Sequence, residues 1–546
     1  MALPRFPRPM LRVESLVALV SCYLILTTNG GWWSAVWAGR SWTDPSTWLF
    51  TVCCFIALAA LHFILLSFGC FKWTVKPVLS IVVIMSAAAA YFMRTYNVLM
   101  DPTMMQNILH TDLHETRDLL TPALITSVVL WSAPALIGIW LVRIERRSFY
   151  GIALFRLLTL VIAVVVVVLA LAPITRDIIS FMRNERTARY HITPGNLLYG
   201  LSASAFGSAR DNVGPRAVIG ADAHVASPLD ATRKPRLFVL IVGETARAAN
   251  FSLLGYARPT NPELAQRKVL AFANVKSCGT STEVSVPCMF SSFGRADYNE
   301  RRIKQTEGLL NVLAHAGIAV KWIDNQSGCK GVCEGAGIDY LRITPATVAS
   351  KYCAGDECHD EILVDKLATE LASVKQDTVI VLHLMGNHGP AYFRRYPPAF
   401  RRFTPECATA ELRNCTREEV VNSYDNAIVY TDFVVAKIVD TLAAHSQALN
   451  TGMLYVSDHG ESLGEGNMYL HGLPYSFAPD VQTHVPMITW LSESLMSSTG
   501  VQSVCPPSLV SGEYSHDNLF DTVLGLMDVQ TSIYRRERDV FAPCRK

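Results

Sequence analysis

The chain has 546 residues, of which half are hydrophobic and 17% charged, a length that suggests two or three domains rather than one. Its formal net charge of +2 excludes the strongly basic footprint of a nucleic-acid binder. The apolar excess falls before residue 175, so a membrane half joined to a globular half is expected.

Five apolar runs, near 13–30, 47–69, 75–93, 122–142 and 151–174, are long enough to cross a bilayer core of about 30 Å. No small-residue cleavage site follows the first, so it is expected to remain as a span. Arg5, Arg8 and Arg12 precede span one, Lys72 and Lys76 separate spans two and three, and Arg143, Arg146 and Arg147 separate spans four and five. These alternate loops face the cytoplasm by the positive-inside rule, which puts everything after about residue 175 in the periplasm of an inner-membrane protein. His62 is the main ionisable group inside a span and reads as structural or interfacial; so few such groups make a poor transport path.

Between spans three and four lies a polar stretch, Arg94 to Thr121. Asn107, Thr111 and Glu115 follow one another at i, i+4 and i+8, along one helix face. Spacing alone does not distinguish that face from a merely solvated one. Arg176 to His191 reads as an amphipathic surface segment, and Thr193 to Pro235, with scattered Gly, Pro, Ser and Ala, as a linker.

From Leu237 short apolar runs alternate with helical periods. Strands are predicted at Leu237–Val242, Ala319–Ile323, Thr378–Leu384, Met453–Val456 and Val485–Trp490, with helices at Glu307–Ala316, Asp360–Val374 and Tyr424–Ala444. The alternation implies an α/β/α layer structure around a mostly parallel sheet, with ligands bound beyond the carboxyl ends of its strands. The expected division is a transmembrane domain over 1–175, an interfacial helix and linker over 176–235, and a catalytic domain over 236–546.

Cys22, Cys53, Cys54 and Cys70 fall in or beside the spans, and ten cysteines lie in the later half. Proximity pairs Cys278 with Cys288, Cys329 with Cys333, Cys353 with Cys358 and Cys407 with Cys415, and elimination pairs Cys505 with Cys544. Such spacing reads as disulfides in an oxidising compartment. A zinc site at Cys329 and Cys333 has plausible spacing but needs thiolates kept reduced.

The polar residues after the predicted strands are chemically distinctive. Glu244 stands in Val-Gly-Glu-Thr, His388 in Gly-Asn-His-Gly-Pro, Asp458 and His459 in Ser-Asp-His-Gly-Glu-Ser, and His471 in Tyr-Leu-His-Gly. Two carboxylates and three imidazoles at one sheet edge suit zinc, which keeps an open position where it is catalytic. The segment Ser277 to Cys288 offers hydroxyls at Thr280, Ser281 and Thr282, and spacing does not choose among them.

These segments, in this order after five spans, resemble the lipid A phosphoethanolamine transferase family, which includes chromosomal and mobile colistin-resistance enzymes of the alkaline phosphatase superfamily. The resemblance implies a nucleophile at Thr282 and zinc ligands at Glu244, Asp458 and His459, with the threonine oxygen completing the set. It implies that His388 and His471 hold the phosphoryl group or a second zinc, and that Ser327 and Lys330 contact the substrate phosphate. It implies that Asn107, Thr111 and Glu115 contact the phosphoethanolamine group. The implied reaction moves phosphoethanolamine from phosphatidylethanolamine through Thr282 to a lipid A phosphate, in a monomeric enzyme. Glu283 departs from the small neutral residue that some relatives carry after the nucleophile. A sulfatase would need Pro and Arg at fixed offsets from a convertible residue, which Cys278-Gly279-Thr280-Ser281 lacks. A glycerol-phosphate transferase resembling lipoteichoic acid synthases shares the five-span plan, but the dense cysteine pairing argues against it. Zinc content with and without chelator would discriminate an enzyme from a non-catalytic sensor.

Overall fold

The computed structural model describes residues 8–111, 113–145, 149–185, 187–211, 214–230, 233–335, 337–345, 351–354 and 357–545. Arg5, Arg146 and Arg147 lie outside the described residues, and so does the side chain of Glu115. Two compact units form: Met1–Gln106 with Leu120–Ala205, and Asn107–Leu119 with Phe206–Lys546.

In the first unit, among the described residues, four helices are long and apolar enough to cross a membrane: Pro45–Ser67, Val75–Tyr96, Pro122–Leu141 and Tyr150–Asn184. Val13–Thr28 and Gly30–Trp37 bend by 67° and make a fifth crossing if they count as one span. The bend falls at Asn29, which leaves helical geometry and whose side chain both accepts from and donates to the Thr193 backbone at 2.8 Å. Gly31 follows because a Cβ there would stand 2.5 Å from the His191 ring. Asp44 and Thr121 cap two of the spans, each accepting from a first-turn N–H and each followed by a proline at a position with no partner to lose. Leu154, Leu157, Val161 and Leu169 are exposed on the last helix, as expected of a surface that faces lipid. His62 is buried among these helices. The predicted linker is corrected over its first part: Gly195–Asp211 is a helix, with Leu197 buried. Its glycine and serine content hid an apolar face that the bundle covers.

The second unit is built on seven strands: β1 (Arg236–Gly243), β2 (Leu270–Phe272), β3 (Ala319–Asp324), β4 (Ile338–Arg342), β5 (Thr378–His383), β6 (Asn450–Ser457) and β7 (Met487–Leu491). They lie in the order β2-β7-β6-β1-β5-β3-β4. Every residue of β1, β5 and β6 is buried, because helices cover both faces of the sheet. Phe238, Leu240, Val242, Val381 and Val456 join one core, where each such side chain contributes about 1.5–3 kcal/mol. The predicted helices appear as Leu309–His315, Glu361–Leu371 and Arg417–Ala444.

The mostly parallel sheet is corrected to a mixed one. β6, β1, β5, β3 and β4 run parallel, but β7 pairs antiparallel with β6, and β2 antiparallel with β7. A parallel neighbour needs a crossover helix to return the chain to the opposite edge. The stretch between Ser457 and Pro486 contains none of that length, and Ser457 N–H donates to the Pro486 carbonyl at 3.3 Å. The chain therefore stays at the carboxyl edge and re-enters the sheet from there.

Five disulfides join Cys278–Cys288, Cys329–Cys333, Cys353–Cys358, Cys407–Cys415 and Cys505–Cys544, all in this unit. Cys22, Cys53, Cys54 and Cys70 are free.

Candidate metal centre and nucleophile

β1 and β6 are adjacent and parallel, so Glu244 and Asp458 leave the same edge side by side, and Asp458 N–H donates to the Gly243 carbonyl at 2.9 Å. The chain after β5 runs against Glu244: Asn387 N–H donates to its carbonyl at 3.0 Å. Gly386, at φ +53, makes that approach possible, since a Cβ there would stand 2.7 Å from the same oxygen.

Glu244, Asp458 and His459 are wholly buried, and one ligand atom from each lies within 4.8 Å of the others. Thr282 opens the helix Thr282–Met289, with its Oγ1 3.1 and 3.2 Å from the Glu244 carboxylate oxygens and 3.4 Å from His459 Nε2. His459 Nδ1 lies 2.9 Å from the Gly460 carbonyl and donates there, which turns the lone pair of Nε2 toward Glu244 and Asp458. Asp458 Oδ1 accepts N–H bonds from Thr245 and His459, whereas Oδ2 is buried with no hydrogen bond, its near neighbour being His459 Nε2 at 3.4 Å. A buried carboxylate oxygen left in that condition is costly unless a cation answers it. Two carboxylates, an imidazole and a hydroxyl meet zinc's demand for about four N and O ligands, so the residues fit this ion.

The electrostatics agree. Burial works against a Glu244 carboxylate, yet the hydrogen bond and charge of His459, with His388 beyond, hold it below the usual range. Burial and the Glu244 charge raise Asp458. Burial lowers His459, but Asp458 and Glu244 more than reverse this and push it up to about 10. The cluster carries surplus negative charge, which a proton on His459 or a divalent cation balances.

Among the three hydroxyls that spacing left open, geometry discriminates. Thr280 Oγ1 donates to the Leu473 carbonyl at 2.6 Å, and Ser281 Oγ is buried without a partner. Thr282 Oγ1 is the one that reaches both carboxylate and imidazole. The rings of His459 and His471 are 4.3 Å apart and those of His471 and His388 5.9 Å apart, so the three imidazoles are grouped at this site. Lys330, at φ +50, holds its ammonium 4.0 Å from the Glu283 carboxylate, which Lys304 also approaches at 3.6 Å. Glu283, the residue after Thr282, is thus approached by both lysines. Ser327 sits on the same loop, donating its N–H to the Gln326 side chain. The single helix face predicted through Asn107, Thr111 and Glu115 is corrected: Asn107 lies on the helix Pro102–His110, Thr111 follows its end and Glu115 belongs to the separate helix Leu113–Leu119, while Thr111 Oγ1 donates to the Asn107 carbonyl at 2.6 Å. Asn107 Oδ1 is buried and has no partner.

Sequence reasoning missed several supports. Gln326 Nε2 and Thr245 Oγ1 each donate to Glu244, at 2.7 and 2.6 Å. Glu461 Oε2 lies 3.4 Å from His471 Nδ1. Behind them Asp324 and His383 face each other at 3.3 Å, both wholly buried. Glu461 stands in the quoted Ser-Asp-His-Gly-Glu-Ser segment, two residues after a metal-ligand candidate, and that was its signal. Gln326 carried none, because no periodicity aims a loop side chain.

The family described as Sulfatase matches residues 236–529, and that described as Phosphoethanolamine transferase EptA/EptB matches residues 58–205. The Escherichia coli K12 phosphoethanolamine transferase EptA is 38% identical over 545 residues, covering 99% of this chain and 98% of its own. The Escherichia coli phosphatidylethanolamine transferase Mcr-1 is 36% identical, covering 94% of each. Among solved structures, the integral membrane lipooligosaccharide phosphoethanolamine transferase A (EptA) from Neisseria meningitidis superposes with a TM-score of 0.92 at 35% identity, over 98% of this chain and 100% of its own. Similarity that runs through both units, at this identity, is more than a shared fold: this chain belongs to the EptA-type family of phosphoethanolamine transferases.

Proposed function

We propose that this chain moves phosphoethanolamine from phosphatidylethanolamine to a phosphate of lipid A by way of Thr282. The observation that carries the reading is the Thr282 hydroxyl, buried between the Glu244 carboxylate and His459 Nε2 at 3.1–3.4 Å. Thr282 Oγ1 attacks the donor phosphorus, the bond to diacylglycerol breaks, and phosphoethanolamine remains on the threonine. The hydroxyl proton lost by Thr282 passes by way of His388 or His471 to the departing diacylglycerol alkoxide. A lipid A phosphate oxygen then attacks the same phosphorus, and the bond to Thr282 breaks. Glu244, Asp458, His459 and Thr282 would hold zinc, which when bound makes the hydroxyl a better nucleophile and offsets charge on the phosphoryl oxygens. Lys330 and Ser327 would contact the same oxygens, Lys330 adding positive charge. Asn107, Thr111 and Glu115 receive the ethanolamine end, for which the unpartnered Asn107 Oδ1 is a ready acceptor of ammonium hydrogens. The lipooligosaccharide in the name of the Neisseria relative supports lipid A as acceptor. Positive charge on alternate loops, together with five disulfides, supports an inner-membrane protein with its site in the periplasm. Transfer would lower surface negative charge and with it binding of polymyxins.

The test is mass spectrometry of lipid A from cells expressing the wild-type chain or Thr282→Ala. A phosphoethanolamine adduct with the first and none with the second is expected. Unmodified lipid A in both, with an adduct on another envelope component, would reassign the acceptor.

A further inference from the structure

The segment Asn107–Leu119 groups with the catalytic unit, although by sequence both its ends run into membrane-spanning stretches. Its helical content is short: the helix Leu113–Leu119 has seven residues, too few to hold together without tertiary contacts. The contact that holds it is specific. Asp118 is buried, and its two carboxylate oxygens are taken separately, Oδ1 by Arg394 and Oδ2 by Arg395 at 2.9 Å. Both Asp118 and Arg395 side chains are only 3% exposed. Arg395 also donates its Nε–H to the His388 carbonyl at 2.8 Å and reaches Glu357 at 3.2 Å. Two guanidinium groups and two carboxylates therefore close the local charge. One side chain, Arg395, separates Asp118 from the backbone of His388.

We propose that Asp118 is a positioning residue for transfer: through Arg395 it latches the segment 107–119 to the His388 loop. The inference rests on the functional reading above, in which that segment receives the headgroup of a membrane-embedded donor. A buried, doubly bonded carboxylate suits this task better than an exposed pair, since water and salt weaken exposed pairs. Arg395 keeps Glu357 and the His388 carbonyl when Asp118 is removed, so the chemistry at Thr282 stays intact. What is lost is the placement of the segment 107–119 against the His388 loop.

The experiment uses the full-length enzyme in vesicles of phosphatidylethanolamine and lipid A. Each preparation is assayed for transfer to lipid A and for hydrolysis of a small water-soluble phosphodiester, and its zinc content is measured. Asp118→Ala should lower transfer by about tenfold or more, a loss of the size that misplacement produces. Hydrolysis of the soluble substrate and zinc content should stay near wild type, and Asp118→Glu should recover part of the transfer. Hydrogen exchange should quicken in the helix Leu113–Leu119 of Asp118→Ala and not in β1 or β6. Undiminished transfer, parallel loss on both substrates, or unchanged exchange in that helix would each overturn the latch. A wild-type enzyme that cleaves the soluble diester but gives lipid A nothing would overturn the functional reading instead, and the exchange measurement would still judge the latch.

Discussion

The proposed reaction asks Thr282 to be a ligand and a nucleophile at once, and its neighbours in the chain separate those tasks from mere folding. Thr282→Ala should abolish transfer and the covalent adduct while leaving metal bound, since Glu244, Asp458 and His459 still supply the set of three that a catalytic zinc commonly has. Thr280→Ala removes a single hydrogen bond to Leu473, about 1 kcal/mol, and should retain substantial activity. Intact-protein mass and metal content measured together check both; a dead Thr280 variant beside an active Thr282 variant would mean the wrong hydroxyl was chosen. Glu461 offers a second residue-level test. It faces His471 Nδ1, so Glu461→Gln should lower kcat by about tenfold, less than the roughly 10²–10⁴-fold that an acid–base group itself supplies, with KM and zinc little changed. A change confined to KM would show that Glu461 only shapes the pocket.

Among the elements, the loop from Ser277 to the first turn of the helix Thr282–Met289 depends on the bridge Cys278–Cys288. Replacing both cysteines with serine should cost about 2–4 kcal/mol, read as a lower unfolding midpoint under non-reducing conditions. An unchanged midpoint would mean that the loop is held by Thr280–Leu473 and Ser277–Thr483 alone. The same loop shows how far sequence reading reaches. β1, β5 and β6 were legible because continuous apolar runs are what a sheet covered on both faces demands. Glu244, Asp458 and His459 were legible because each follows such a run directly. β2 and β4 were not: they are short edge strands, and β4 is only partly buried, so no pattern of burial is imprinted on them. The antiparallel course of β7 was hidden too, since strand direction depends on the connection before it. Asp118 looked like one more charge on a solvated helix, because its arginine partners lie far off in the chain.

The molecule as a whole divides its chemistry unevenly. Every candidate ligand lies in the second unit, so zinc should act on that unit's stability alone. Stripping metal with a chelator should abolish transfer, and restoring zinc at about 100 times its dissociation constant should return about 2.7 kcal/mol to the unfolding of the catalytic unit. Calorimetry in detergent should show one transition moving and the membrane transition fixed. Both moving together would imply that the two units unfold as one.

The antiparallel return of β7 has a further consequence. Because the chain never leaves the sheet's edge between Ser457 and Pro486, Asp458, His459, Glu461 and His471 ride on one uninterrupted strip of backbone, anchored in the sheet at both ends. That strip also grips the nucleophile's loop, the Thr483 carbonyl accepting from Ser277 N–H at 2.7 Å and the Thr280 carbonyl from Gly472 N–H at 2.8 Å. Two candidate metal ligands, the proposed acid–base histidine and the contacts to the Thr282 loop therefore lie on a single continuous segment. Transplanting 458–486 between relatives should carry a working half-site with it, whereas grafting any one of its residues should not.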